Sequence, residues 1–151
     1  MTEHWALLAY RVPREPSTPR ITIWRRLRKL GVLRIGDGIV ALPADPETVE
    51  ALEWIAEAVT EADGDAWVFN AKGSRAQDDE MRSHYDDELQ HDVDGLIAHV
   101  NATDSVTARQ LSNWGRRYRD LQRRDRFGTG CTEPLRRLLE ARAAQVTEVR
   151  P

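Results

Sequence analysis

The sequence predicts an α+β fold in which four strands and two helices, in the order β-α-β-β-α-β, are followed by three further helices. Nearly continuous apolar runs of strand length occupy residues 5–12, 32–35, 39–42 and 66–69. Between the first and second runs, and between the third and fourth, apolar residues recur every three or four positions, as in amphipathic helices. From residue 75 onward the spacing is helical, with breaks at residues 101–104 and 127–130.

The first strand and the start of the first helix come from residues 5–19. The run at 5–12 has few polar interruptions and ends at Pro13, so we expect a strand buried on both faces. Thr18 then predicts an N-cap, and Pro19 the first helical position, where its missing N–H costs no hydrogen bond.

The first helix is predicted to have one core face and one cationic face. Ile23, Leu27 and Leu30 lie on one side, and Trp24 flanks them. Gly31 is predicted to end the helix. The opposite face carries Arg25, Arg26, Arg28 and Lys29.

A hairpin, a second helix and a last strand complete the predicted sheet. The sequence Gly36-Asp37-Gly38 favours a tight turn between the second and third strands. Asp45 is the predicted N-cap of an acidic amphipathic helix that reaches about residue 62, with Pro46 at its first position. The resulting β-α-β-β-α-β order is that of a ferredoxin-like sheet domain.

Three helices are predicted after the sheet, at about residues 75–102, 105–126 and 133–146. In the second of them, Leu111, Trp114, Tyr118 and Leu121 form an apolar seam suited to packing against another helix. We therefore expect a single domain over residues 1–151, with a ferredoxin-like sheet core at 1–73 and a helical appendage at 74–151.

Composition excludes several classes of protein. No apolar run is long enough to cross a bilayer, and the single Cys131 cannot form an internal disulfide, so we expect a cytoplasmic protein with no membrane partner. Residues 1–45 hold 8 Lys and Arg against 4 Asp and Glu, residues 46–104 hold 3 against 16, and residues 105–151 hold 11 against 5. This distribution favours a polarised surface that binds a polyanion, although the blocks could instead neutralise one another.

Two arginine-rich helix faces are the main candidate site. A guanidinium fits two phosphate oxygens at once, and each neutralised phosphate releases counterions, so such faces favour binding to the DNA backbone. The alternative is that these side chains are simply solvated or pair with acidic helices of the same chain. The candidate DNA-binding residues are Arg11, Arg14, Arg20, Arg25, Arg26, Arg28, Lys29, Arg116, Arg117, Arg123 and Arg124.

Weaker candidates have simpler explanations. The residues His84, Asp87, Glu88 and His91 share one helical face, and Glu88 and His91 have the spacing that ferritin-like proteins use to hold iron. Such a site needs the same motif on a second helix, and the sequence has none, so a solvated acidic helix is favoured. Cys131 precedes a helix start, which could lower the pKa of its thiol and favour a redox role. The alternative is a thiol without a function. The tryptophans are interpreted as packing residues rather than stacking platforms.

Several stretches resemble the N-terminal domain of the ChrB chromate-resistance regulators. They are WALLAYRVPREPSTPR at 5–20, IWRRLRKLG at 23–31, DGIVALP at 37–43, LEWIA at 52–56 and RRDRFG at 123–128. The chain is also similar to the middle domain of PaaX-type repressors. The resemblance implies a ferredoxin-like domain with added helices that acts in transcriptional control of chromate resistance.

Three functions are considered for this chain. The first is a regulator that binds DNA, with chromate as its effector. The second is a non-enzymatic interaction module that forms a homodimer through the Leu111 to Leu121 seam or an exposed sheet edge. The third, an enzyme, is disfavoured because the sequence has no cofactor motif, catalytic triad or metal cluster, and the nucleases of this fold carry an acidic metal ligand where this chain has Arg11. We expect no cofactor.

Overall fold

A computed structural model describes residues 4–148 of the chain and has the predicted α+β class. The elements are β1 (Trp5–Arg11), α1 (Ser17–Leu30), β2 (Leu33–Gly36), β3 (Ile39–Pro43), α2 (Pro46–Glu61), β4 (Asp65–Ala71), α3 (Arg75–Asn101), α4 (Ala108–Arg124) and α5 (Glu133–Glu148). The first six elements have the predicted order, and the three C-terminal helices are confirmed. No helix in the described part combines the length and the apolar character needed to cross a membrane.

The four strands form one antiparallel sheet with the order β2-β3-β1-β4. β3 therefore lies between β1 and β2, and β1 lies between β3 and β4, so each of the two β-α-β units is split by a strand of the other. β2 and β4 are the edges of the sheet. The pairing of β2 with β3 is irregular between Arg34 and Gly36.

The chain divides into two compact units, the first ending at Tyr85 and the second beginning at Asp86. The first unit contains the sheet, α1, α2 and the beginning of α3. It extends past the predicted boundary at residue 73 by this part of α3, whose Tyr85 makes an edge-on ring contact with Trp5 at 6.3 Å between centroids.

Only one face of β1 is buried along its length, so the prediction of burial on both faces is wrong. Ala6 and Leu8 are fully buried, as are Val40 of β3 and Leu52 of α2. On the other face, Trp5 is buried against Tyr85, but Leu7 and Ala9 are only half-buried beside the exposed Phe69 and Trp67 of β4. The reason is that helices cover one face of the sheet, whereas part of the other face is open.

The start of α1 also differs from prediction. The helix begins at Ser17, and its N-cap is Pro16, so Thr18 does not cap it and Pro19 is its third residue. Proline is tolerated there because the first N–H groups of a helix have no partner within the helix. Ile23 and Leu27 are buried as predicted, and Gly31 ends the helix with a positive φ of 75°.

The turn between β2 and β3 requires a glycine at position 38. Gly38 has a φ of 79°, and a Cβ atom there would lie 2.6 Å from the Tyr10 carbonyl oxygen. The Tyr10 N–H in turn donates to the Gly38 carbonyl at 2.8 Å, which ties the turn to the end of β1.

The predicted start of α2 is confirmed in detail. The Asp45 carboxylate accepts a hydrogen bond from the Thr48 N–H at 2.9 Å, and the Thr48 hydroxyl accepts one from the Asp45 N–H at 2.9 Å. Pro46 is the first residue of the helix. These reciprocal bonds form a capping box.

Replacing Asp45 with alanine should lower the free energy of unfolding by about 1 kcal/mol, because it removes one acceptor from the helix N-terminus. Urea denaturation followed by circular dichroism would measure this loss. The control is Glu50→Ala on the exposed part of the same helix, which should change stability by less than about 0.5 kcal/mol. Equal effects of the two substitutions would contradict the importance of the cap.

The second unit is built around one hydrophobic cluster. The seam predicted for α4 is confirmed in it, since Trp114 and Leu121 are buried together with Leu96 of α3 and Leu135 of α5. Leu111 and Tyr118 also pack against this cluster. The apolar seam of α4 is therefore used within its own unit.

Candidate nucleic-acid interface

The cationic face of α1 is exposed as predicted. Burial of Ile23 and Leu27 orients the rest of the helix toward solvent, and Arg25, Arg28 and Lys29 lie at i, i+3 and i+4 on the outer side. Arg20 and Arg26 are exposed beside them. We call these five residues the α1 cationic face.

No carboxylate neutralises this face within residues 4–148. The helix contains five cations and no Asp or Glu, and none of the five takes part in an ion pair with another described residue. Like charges at i, i+3 and i, i+4 repel each other and destabilise a helix by a few tenths of a kcal/mol per pair. A bound polyanion would relieve this repulsion.

The connection between β1 and α1 adds one more unpaired guanidinium. Arg11, at the end of β1, forms an exposed ion pair with Asp65 of β4 at 2.9 Å. Arg14 is exposed and takes part in no ion pair within the described residues. Of these two predicted site residues, Arg14 is therefore the one whose charge is not offset by a neighbour.

Arg34 is a neighbour of α1 that is not among the predicted site residues. Its guanidinium lies over the Trp24 ring, 5.6 Å from the centroid, and pairs with Asp37 at 2.6 Å. This cation–π contact joins β2 to the half-buried side of α1. Near it, burial raises the pKa of the Tyr10 hydroxyl, and the Arg34 charge partly offsets that rise. The only sequence signal was the i, i+3 spacing of Arg34 and Asp37.

The arginines of α4 do not form one uniform face. Arg116 and Arg117 are exposed, and Arg116 donates a hydrogen bond to the Asn113 side chain. Arg123 is exposed but lies 3.5 Å from the Asp120 carboxylate. Arg109 and Arg119 are also exposed without an ion pair in the described residues, so α4 has four unneutralised cations, against five on α1.

Arg124 points inward rather than toward a ligand. Its side chain is only 14% exposed and donates to the Asp92 carboxylate of α3 at 2.8 Å. Arg124 therefore joins α3 to α4 within the second unit, and we leave it out of the proposed interface.

Two arginines of α5, in contrast to those of α1, are neutralised by carboxylates of the same helix. Arg136 pairs with both Glu133 and Glu140, and Arg137 lies 3.4 Å from Glu133. The hydrogen bond from Arg136 is the main reason that the pKa of Glu133 falls from 4.5 to about 2. None of the cations on α1 has such a partner among the described residues.

Arg136→Gln should raise the pKa of Glu133 toward 4.5, which an NMR titration of its side-chain carboxyl carbon would measure. The folded-state pKa lies below the unfolded value, so the interaction stabilises the fold above about pH 4.5 and is lost as pH falls through about 2. As a control, Arg137→Gln should give a smaller rise, because its contribution is weaker. An unchanged pKa in Arg136→Gln would contradict this assignment.

The candidate metal ligands on α3 and Cys131 do not form a site among the described residues. His84, Asp87, Glu88 and His91 are exposed on α3, and no group of three or more potential metal ligands occurs in the described residues. Cys131 is half-buried ahead of α5 and packs against the core of the second unit.

The prediction that the tryptophans serve as packing residues holds for some of them only. Trp5 and Trp114 are buried, but Trp54 is 62% exposed and Trp67 is 55% exposed.

Comparisons with known proteins connect more than half of the chain, from α1 to the start of α4, to one family. The family described as "Protein ChrB, N-terminal" matches residues 20–109, a range that includes the α1 cationic face but ends before Arg116. A curated relative named "Protein ChrB" from Cupriavidus metallidurans is 31% identical over 81 residues, which is 54% of this chain and 24% of the relative. No solved structure matches the chain significantly.

Proposed function

The chain belongs to the ChrB family by its N-terminal domain, and on that premise we propose that it is a regulatory module of chromate resistance that binds the DNA backbone. The matching segment spans about a quarter of the length of the curated relative. The proposed module is non-enzymatic. Its similarity to the middle domain of PaaX-type repressors stays a prediction from the sequence.

The observation that carries the proposal is the α1 cationic face. Five cations project from one helix with no carboxylate partner in the described residues, whereas the arginines of α5 are paired. Arg14 adds a sixth unpaired cation in the connection that leads into α1. A face of this kind attracts phosphates, since each contact exchanges a condensed counterion for a protein charge.

The proposed contacts are to phosphates rather than to bases. Arginine can donate two parallel hydrogen bonds to one phosphate, whereas lysine offers a point charge. Base reading requires side chains held in a groove, and the sequence shows no helix-turn-helix pattern that would hold α1 there. Binding by α1 should therefore depend little on DNA sequence.

α4 is proposed as a second, weaker contact. Arg116 and Arg117 are exposed without an ion-pair partner in the described residues, and Arg123 is only partly offset by Asp120. The two helices belong to different units, so each contribution is proposed separately.

The test is a titration of the whole chain into fluorescently labelled duplexes of two unrelated sequences. Fluorescence anisotropy should give similar affinities for both duplexes and a steep loss of affinity as salt is raised. Absence of binding to either duplex at low salt would reject the proposal. A large preference for one sequence would contradict backbone contact as the source of affinity.

Chromate is proposed as the effector of this module, and sulfate is its matched control. Both are tetrahedral divalent oxyanions, so they should screen the α1 cationic face equally at the same ionic strength. A direct effector would weaken or strengthen DNA binding more in chromate than in sulfate. Identical titrations would reject chromate as a directly sensed ligand.

The second candidate function is a protein-interaction module without DNA binding. It is favoured by the exposed edge of the sheet at β4, where Trp67 and Phe69 are both more than half exposed. In that case the anisotropy titration would show no binding at low salt.

A further inference from the structure

β4 is an open and unprotected sheet edge. It is seven residues long, pairs with β1 on one side, and has no strand on its outer side in the described chain. It contains no proline and no lysine, which commonly protect such edges. The opposite edge, β2, has only four residues and an irregular register.

The exposed side chains of β4 are aromatic. Trp67 is 55% exposed and Phe69 is 53% exposed. They lie two positions apart on a strand and therefore share the face of the sheet that α1 and α2 do not cover. Val68 lies midway between them and points to the opposite face.

We propose that β4 pairs antiparallel with β4 of a second copy of this chain about a twofold axis through Val68. This register places Trp67 opposite Phe69 of the second copy, and Phe69 opposite its Trp67. Directly opposite aromatic side chains in antiparallel strands interact favourably, so the symmetric arrangement buries all four rings in one cluster. The two sheets then form one continuous eight-stranded sheet.

Charge along the strand favours this partner over nucleic acid. Asp63 precedes β4 and Lys72 follows it, so antiparallel pairing brings the Asp63 end of each copy against the Lys72 end of the other, while Asp65 stays paired with Arg11 of its own chain. Asp65 lies two positions before Trp67 on the same face of β4, so a polyanion stacked on Trp67 would meet this carboxylate, whereas antiparallel pairing with a second copy would not.

The size of the contact predicts a weak dimer. The exposed halves of the four rings amount to roughly 500 Å², which together with the paired backbones falls at the low end of specific interfaces. The pairing does not use α1, so it does not depend on the proposed DNA binding. The apolar seam of α4 does not compete, because Trp114 and Leu121 are buried in the second unit.

The first test is a charge swap on the full chain, measured by sedimentation equilibrium. Trp67→Lys/Phe69→Lys places lysine opposite lysine in the homodimer, and Trp67→Glu/Phe69→Glu places glutamate opposite glutamate. Each variant alone should dimerise about 100-fold more weakly than the original chain, because aromatic pairs are replaced by like charges. A mixture of the two variants should restore association, since every cross-strand pair then joins opposite charges.

The second test fixes the register, in a Cys131→Ser background. Val68→Cys should form a disulfide-linked dimer, because the Cα atoms of directly opposite residues lie about 4.5–5.5 Å apart, within the range that a disulfide spans. Asn70→Cys is the matched control and should not cross-link to itself, because the two copies of residue 70 would be separated by about four residues, or 13 Å, along the strand. Circular dichroism would show whether each variant keeps the fold.

Three results would overturn the proposal. One is a monomeric chain at concentrations up to about 100 μM, where a weak interface of this size should associate. The others are a dimer that persists in the lysine variant, and cross-linking of Asn70→Cys as efficient as that of Val68→Cys. A chain that dimerises through β4 but binds no DNA at low salt would reject the proposed function and leave this inference intact.

Discussion

Replacing Arg25, Arg28 and Lys29 together with glutamate is expected to lower the affinity of the chain for duplex DNA by at least about 100-fold near 0.1 M salt. Each phosphate contact contributes a slope of about 0.9 to the dependence of log affinity on log salt, so three lost contacts at this salt correspond to more than two orders of magnitude. The substituted side chains are exposed, so the fold should survive. Fluorescence anisotropy with a labelled duplex measures the change.

A single-residue comparison separates the α1 cationic face from net charge alone. Arg25→Glu and Arg137→Glu make the same charge change at exposed helical positions, but Arg137 lies 3.4 Å from Glu133, and Arg25 has no ion-pair partner among the described residues. Arg25→Glu should weaken binding about 10-fold and Arg137→Glu by much less. Equal losses would show that α1 has no special part in binding.

Replacing Trp114 with alanine is expected to lower the free energy of unfolding by about 3–5 kcal/mol, the usual cost of removing a buried aromatic side chain. Trp114 is 3% exposed in the core of the second unit, where its ring meets His99 edge-on at 6.0 Å between centroids. The cavity left by the indole cannot be refilled by its neighbours without moving helices. Urea denaturation followed by circular dichroism measures the loss.

Trp54→Ala is the matched control, because Trp54 also lies on a helix but is 62% exposed. Its substitution should change stability by less than about 0.5 kcal/mol. A loss below about 1 kcal/mol for Trp114→Ala would mean that the second unit does not depend on this cluster as described.

Local signals were predicted best from the sequence. The Asp45 cap and Pro46 were placed correctly because the capping box involves residues only three positions apart. The start of α1 was misplaced because proline is tolerated throughout the first helical turn, so Pro19 does not distinguish the first position from the third. The burial of Trp114 and Leu121 in the seam of α4 was predicted from their spacing alone.

Contacts between distant residues could not be predicted. Arg124 has the same exposed-face spacing as other arginines of α4, but it is drawn inward by Asp92, which is 32 positions away in the sequence. Trp67 and Phe69 resembled a core strand because the apolar run does not show that β4 is an edge or that one sheet face is open. The α1 cationic face was predicted correctly because burial of Ile23 and Leu27 determines which side is exposed.

Binding of phosphates by the unpaired cations of α1 is tested by the salt dependence of duplex binding for the original chain and for Arg25→Gln/Arg28→Gln. Log affinity would be measured against log salt concentration by anisotropy for both proteins. The slope for the neutral variant should be shallower by about 2, or close to 0.9 for each removed charge. Parallel lines for the two proteins would contradict phosphate binding by these cations.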